Sequence, residues 1–574
     1  MASSTTGGER IAWPSNGLAS IVDYAVASHG RAVAVLVIAS LLAFLPGFFQ
    51  VPPLDRDEAR FAQATKQMVE SGDYIDIRFQ DEVRYKKPVG IYWLQAVVVK
   101  SAQALGVPNA LDTIWLYRIP SLLGAIGAVL LTYWTALGFV SRRAAVMAAL
   151  MMATSIILCV EARMAKTDAA LLATVVAAMG ALARAYLGDR RIGRPGFAGW
   201  TLPAIFWTAV AGGLMLKGPL ILMFVVLTVA ALAVQDRTVR WLAALRPLPG
   251  VIWMLLLVLP WFVAIVSRTG SSFFTESIGN DLMSKVASGQ EAHGAPPGYY
   301  FVLFWATFWP GAALAAMAVP AVWASRREKG ARFLLAWIVP SWIVFEIVAT
   351  KLPHYVMPLY PAIAILIAGV IDPHVLARQR WLVRGTGWWF VLPVVFAIGG
   401  VAALIVVGKQ LGLLAWPFAA GAIICGLLAW WLYDADGAER SLLRAMAASI
   451  LIMFAIFGVA IPSIPALFPS VALARAVRDS GCANPAVAAA GYHEPSLVFL
   501  VGTPTRLTEG AAAADFLRQG SCRFALIDER QERGFLRRAE AIGLRYSLGS
   551  RVDGINISAG RTVSIAVYRS EASP

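Results

Sequence analysis

Apolar runs, nearly free of charge and long enough to cross a bilayer as helices, follow one another along most of this chain with only short polar connections between them. They occupy 32–50, 119–141, 144–160, 196–216, 218–235, 250–267, 295–325, 333–350, 355–371, 385–408, 412–433 and 445–465; a spanning helix needs roughly 20 apolar residues. Residues 169–183 add a span if Arg184 snorkels to the interface, giving about thirteen. Composition agrees: 59% of positions are hydrophobic and 14% charged, far from the balance of a soluble domain.

The net charge of +15 does not indicate nucleic acid, because the basic residues form short clusters between spans rather than one stripe. Arg142 with Arg143, Arg190 with Arg191 and Arg194, Arg237 with Arg240 and Arg246, Arg326 with Arg327 and Lys329, Arg378 with Arg380 and Arg384, and Arg440 with Arg444 fall in every second loop. Positive loops stay inside, so these mark the cytoplasmic face, with the N-terminus inside and, for an odd number of spans, the C-terminus outside. The first span reads as an uncleaved anchor, since Val51, Pro52 and Pro53 follow it without a small-residue cleavage site.

Three regions result. Residues 1–30 form a cytoplasmic tail leading to a short interfacial helix. Residues 31–465 form the membrane domain, whose first outer loop, 51–114, is expected to hold a helix around Glu58 to Ser71, an extended piece from Tyr74 to Phe79 and an interfacial helix from Val89 to Leu105. Residues 466–574 read as a small extracytoplasmic α/β domain, with strands at Ser496 to Val501, Phe524 to Asp528 and Val563 to Tyr568 and helices at Ala511 to Gln519 and Glu532 to Ile542. Cys482 and Cys522 fall in this domain, where an oxidising compartment permits either a bridge or two free thiols; Cys159 and Cys425 lie in spans.

With topology assigned from arginines alone, the unusual polar sequences land on the opposite, outer side. They are Asp55 to Arg60, Tyr85 to Pro88, Glu161 to Asp168, Leu216 to Pro219, Gln290 to Tyr300 and Lys351 to Tyr355. Charge beside a bilayer is costly and is usually tied to a substrate or ion. Asp57 could accept a hydroxyl proton or simply open a helix; Arg60, one turn on, could pair with it or bind an anion. Asp168 could cap the following span or join Glu161, Arg163 and Lys166 in a site. Lys86, Lys87 and Lys217 place cations at one depth, suited to a phosphate, although Lys217 could also satisfy helix-terminal carbonyls. Glu58 and Arg84 add charge to the same outer loop. His293, with Glu291 beside it, and His354 could bind metal or a hydroxyl, but two separate histidines are a weak metal signal. Glu346, near the outer end of a span, should face the interior and pair there.

These motifs together resemble the polytopic glycosyltransferases of the GT-C superfamily, especially the lipid A aminoarabinose transferases and related galacturonosyl and mannosyl transferases. Asp57-Glu58-Ala59-Arg60 looks like the family's Asp-Glu-x-Arg after span one. Lys87-Pro88 with Tyr92-Trp93 looks like its Lys-Pro…Tyr-Trp, and Ala162-Arg163…Asp168 like its second acidic site. Leu216-Lys217-Gly218 and His354-Tyr355…Pro358 are also similar to family signatures. The resemblance implies an all-α polytopic, GT-C-like membrane protein of a bacterial inner membrane, with a periplasmic C-terminal domain. The donor would be a polyprenyl-phosphate-linked sugar and the acceptor lipid A, lipopolysaccharide or another envelope glycolipid, with inversion at the sugar.

Lys87, helped by Arg60, Lys217 and Lys86, would hold the donor phosphate, while Asp57 and Asp168 would act on the acceptor and sugar. Glu58, Arg84, Tyr92, Arg163, His293, His354 and Tyr355 would support them. One departure stands out: Lys86 occupies the position before Lys-Pro where aminoarabinose transferases typically carry a glutamate associated with metal. No cofactor is therefore firmly implied, a divalent metal stays open with Glu291 and His293 as weak ligands, and an anionic or neutral sugar is favoured over a cationic one. A protein O-mannosyltransferase-like enzyme is the alternative. A lipid or ion transporter would place charge at mid-span and show inverted repeats, and neither is evident.

Overall fold

The computed structural model describes the chain except residues 1–16, 189–198, 283–293, 372–375, 377–382, 384–386 and 572–574. The arginines at 190, 191, 194, 378, 380 and 384 therefore lie outside the described residues, as do Glu291 and His293.

Each apolar run of the sequence contains a helix. The first eleven helices are α1 (Gly17–Val26), α2 (His29–Phe44), α3 (Asp57–Ser71), α4 (Gly90–Ala104), α5 (Ile114–Ala136), α6 (Arg142–Thr154), α7 (Ile156–Glu161), α8 (Asp168–Leu187), α9 (Thr201–Lys217), α10 (Leu220–Asp236) and α11 (Pro247–Thr269). Among the described residues, 8 helices are long and apolar enough to cross a membrane, or 9 if the pair Tyr299–Thr307 and Ala312–Ala324, bent by 117°, is one broken span. α2, α9 and α10 are apolar but shorter. The bundle core is built from small residues: α6 is buried from Ala144 to Thr154 along its entire circumference, and α8 buries Ala178, Ala181 and Ala185 against its neighbours. Small side chains allow the close helix approach that membrane packing requires. At one end of α6, Arg143 bridges Asp23 of α1 at 2.6 Å and Glu439 at 2.5 Å. The other end leads into the polar turns where the candidate residues lie.

The first outer loop folds much as its pattern predicts. α3 starts at Asp57, and the piece after it is a hairpin of β1 (Arg78–Phe79) and β2 (Glu82–Val83). α4 buries Ile91, Tyr92, Gln95 and Val99 and exposes Trp93, Leu94 and Val97, the two-faced character of an interfacial helix.

The C-terminal region is a five-stranded sheet in the order β4-β3-β5-β7-β6, from β3 (Ala486–Ala490), β4 (Arg506–Thr508), β5 (Arg523–Asp528), β6 (Tyr546–Asn556) and β7 (Arg561–Ser570). β3, β4 and β5 are parallel, whereas β7 runs antiparallel to β5 and β6. Helices Gly510–Leu517 and Glu529–Ala541 cover one face. Cys482 and Cys522 are joined as a disulfide.

One expected strand is instead a helix, Pro495–Val501. A short apolar run has no period to separate the two states, and Pro495 in the first helical turn, after extended Glu494, favours the helix. Strands β3, β4 and β6 were not expected from the sequence. The Ala486–Ala490 run lacks the β-branched and aromatic residues that mark a strand.

Candidate active site at the outer rim of the bundle

A buried ion pair organises the rim. Glu58, one residue into α3, takes Nε and Nη2 of Arg118 on its two oxygens at 2.8 and 2.9 Å. The same carboxylate accepts the backbone N–H groups of Leu54 and Ala165, each at 2.9 Å. Arg118 also donates to the carbonyls of Phe48, Val51 and Pro52. Both side chains are almost wholly buried, and every hydrogen bond is directed at a loop on which a candidate residue sits. Glu58 is therefore a structural residue that locks the 48–57 turn and the 162–167 turn together, and Arg118 is a partner that sequence reasoning missed. An arginine inside a span, four residues into α5, is the signal that could have revealed it.

Held by that lock, the start of α8 meets the end of α9. Lys217 donates to Asp168 Oδ1. Lys166 donates to Glu161 at 3.0 Å and lies 3.9 Å from the other oxygen of Asp168. His354 bridges the two acids, with Nδ1 3.5 Å from Glu161 and Nε2 3.5 Å from Asp168. The Lys217 ammonium lies 5.0 Å above the Tyr355 ring. Burial opposes charge on Lys166, yet Glu161, Asp168 and Asp57 outweigh it and hold the ammonium above its ordinary range.

That balance also places Asp57, exposed at the start of α3, within electrostatic reach of the cluster. Lys87 lies close enough to act on His354. Its loop is drawn in by Gly90, where a Cβ would come 2.6 Å from the Met215 carbonyl oxygen near the end of α9.

The other expected residues divide. Arg84 stacks 5.0 Å over the Phe61 ring, and Tyr92 packs against the same ring. Arg60 is half-buried on α3 and Lys86 is exposed. Arg163 turns away from the cluster: its guanidinium donates to the Ala43 carbonyl at 2.6 Å and lies 4.3 Å over Phe457, so it ties α2 to the last span. Glu346 finds its partners in the N–H groups of Gly298 and Phe301 at the start of helix Tyr299–Thr307.

Glu161, Asp168 and His354 could each offer one ligand atom within 4.8 Å of the others, the spacing of a metal site. Lys166 and Lys217 already neutralise these two carboxylates, and a divalent ion would sit beside both ammonium groups. The residues fit an ammonium-neutralised cluster, not a resident ion.

The C-terminal domain is fastened to α3 by helix Pro495–Val501 and the turn after it. Lys66, buried, donates to Asp112 at 2.6 Å and to the Phe499 carbonyl at 2.9 Å. Gln63 and Glu70 both bond the Thr503 hydroxyl, and Asp55 accepts the Ser496 N–H at 3.0 Å. Burial, reinforced by Glu494, raises the Asp55 pKa to about 6 even though Ser496 lowers it. A carboxyl raised in the folded state favours folding most below its unfolded value and loses that advantage as pH rises through its folded value. Domain docking should thus be tighter at pH 5 than at pH 7.5, measured by hydrogen exchange over 495–503, and Asp55→Asn should flatten the difference.

With this geometry in view, comparisons with known proteins are informative. Residues 101–271 match the family described as dolichyl-phosphate-mannose-protein mannosyltransferase. The undecaprenyl phosphate-alpha-4-amino-4-deoxy-L-arabinose arabinosyl transferase of Edwardsiella ictaluri is 28% identical over 75% of this chain and 76% of its own length. That of Pectobacterium carotovorum is 29% identical over 67% and 66%. The crystal structure of ArnT from Cupriavidus metallidurans bound to undecaprenyl phosphate superposes with a TM-score of 0.72 at 18% identity, covering 94% of this chain and 98% of that one. This chain has the fold of that ArnT structure and resembles the lipid A aminoarabinose transferases. It is a multi-pass inner-membrane protein, and the fold likeness takes in the C-terminal domain as well as the bundle.

Proposed function

We propose that this glycosyltransferase moves a sugar from a polyprenyl-phosphate carrier to lipid A or a related envelope glycolipid at the outer face of the inner membrane, with the N-terminus cytoplasmic and the C-terminal domain periplasmic. The observation that carries the proposal is the meeting of Asp168, Lys217, Lys166 and His354 in one cluster, with Asp57 and Lys87 in electrostatic reach. In the reaction, the acceptor oxygen attacks the anomeric carbon, the bond from that carbon to the phosphate oxygen breaks, and polyprenyl phosphate leaves. Lys87, with Arg60, stabilises the charge gathering on the phosphate, the effect that usually dominates such a barrier. Lys217 is committed to Asp168 and so orients that carboxylate, which supports a sugar hydroxyl. Asp57 takes the proton of a hydroxyl acceptor; for a phosphate acceptor, already anionic, it positions instead.

Lys86 favours a neutral or anionic sugar. Purified protein should be given undecaprenyl-phosphate-linked uronic acid, hexose and aminopentose with lipid A, and products weighed by mass spectrometry. The expected product carries a uronic acid or hexose. An aminopentose product alone would overturn the choice of sugar, and no product from any donor would overturn the transfer reaction.

A further inference from the structure

The end of the bundle remote from this site holds a second feature. Between α1 and the two helices Trp416–Trp431 and Tyr433–Met453 lies a cavity of about 360 Å³, walled by Leu18, Leu428, Leu432 and Leu443 and carrying Arg440 and Arg444. It belongs to the end marked by the Arg143 bridge to Asp23 and Glu439, opposite the Asp168 cluster along α6. Arg444 is only 8% exposed. Its Nη2 donates to Asp436, while its buried Nη1 has no hydrogen-bond partner among the described residues. Arg440, one turn earlier on the same face, lies 3.5 Å from the same Asp436. Two guanidinium groups thus share one carboxylate, leaving a charge of +1 at the mouth of an apolar slot. Glu439 is already engaged by Arg143, and Asp434 is exposed on the first turn of the helix.

An orphaned buried guanidinium N–H is costly, and a phosphate oxygen is the acceptor guanidinium binds best. We propose that this cavity binds one anionic phospholipid of the adjoining leaflet. Its phosphodiester lies between Arg440 and Arg444 and accepts from Arg444 Nη1, and an acyl chain runs along the leucine wall. The charge complementarity is one to one, and basic pockets between helices at the positive side of a membrane suit such headgroups. The site is separate from the donor site, so it stands or falls independently of the transfer reaction.

Full-length protein stripped of lipid should be titrated with phosphatidylglycerol or phosphatidylcholine and examined by native mass spectrometry. One phosphatidylglycerol should bind at least tenfold more tightly than phosphatidylcholine. Arg440→Gln, at an exposed position that spares folding, and Arg444→Gln should each weaken phosphatidylglycerol about tenfold, the size of one charge-assisted contact. Cys425 offers a second readout, because it lines the cavity, whereas Cys159 is buried and Cys482 is bonded to Cys522. Its labelling by N-ethylmaleimide should slow when phosphatidylglycerol is added. Equal binding of the two lipids, or unchanged binding by Arg440→Gln, would overturn the proposal. So would Cys425 protection by inorganic phosphate alone, which would indicate a free-anion site, or protection in lipid-free protein, which would indicate that the chain itself fills the cavity.

Discussion

Asp57→Asn is expected to lower the rate of sugar transfer to a hydroxyl acceptor by about 10²–10⁴, the range for removing a positioned general base, while leaving the protein folded. Asp57 stands at the exposed start of α3, so losing its charge should change stability by no more than about 0.5 kcal/mol. The amide keeps the carboxylate's shape but cannot take a proton. It also withdraws one of three negative charges acting on Lys166, and Glu161 and Asp168 remain to hold that lysine charged. Single-turnover transfer from a polyprenyl-phosphate sugar, together with the melting temperature of the same preparation, separates the two effects. With a lipid phosphate as acceptor the drop should be smaller, because the nucleophile is already ionised and only its placement suffers. A variant that transfers within threefold of the parent to both acceptors would remove Asp57 from the chemistry.

The second large effect is structural. Arg118→Met should destabilise the membrane domain by about 3–5 kcal/mol, the cost of leaving one member of a buried pair uncompensated. Glu58 would keep its two backbone donors but lose the guanidinium that matches its charge, and the carbonyls of Phe48, Val51 and Pro52 would lose their donor. Removing both partners, as Glu58→Gln with Arg118→Met, should be milder than Arg118→Met alone, since no buried charge is then stranded. Thermal unfolding in detergent of the single and double variants measures this. A double variant less stable than Arg118→Met would show that the pair does not act as a unit. Activity in Arg118→Met should fall at least as far as the folded fraction, because the pair also holds the turn that carries Lys166 and leads to Asp168.

Much of the candidate site was legible in the chain because charge is conspicuous where nearly everything else is apolar. Asp57, Lys87, Asp168, Lys217 and His354 stood out for that reason; the structure joins Asp168, Lys217 and His354 in direct contacts and leaves Asp57 and Lys87 in electrostatic reach, while their roles belong to the proposed function. Glu58 and Arg163 were conspicuous on the same grounds yet serve packing, Glu58 by locking two turns and Arg163 by tying α2 to the last span. Charge near a membrane identifies residues that need a partner and does not say whether that partner is ligand or backbone. Arg118 escaped because its partner lies 60 residues earlier, and no local pattern connects them.

From amino-acid order alone came the membrane class, the helical runs, the basic end and the two-faced α4, all of which follow from local hydropathy and charge. The pairing of Lys217 with Asp168, the joining of Cys482 to Cys522, the fastening of the C-terminal domain to α3 and the helix at Pro495–Val501 came from three-dimensional packing. Such contacts bring distant segments together, and their energies depend on which neighbours share a buried volume, a quantity no short window of residues contains.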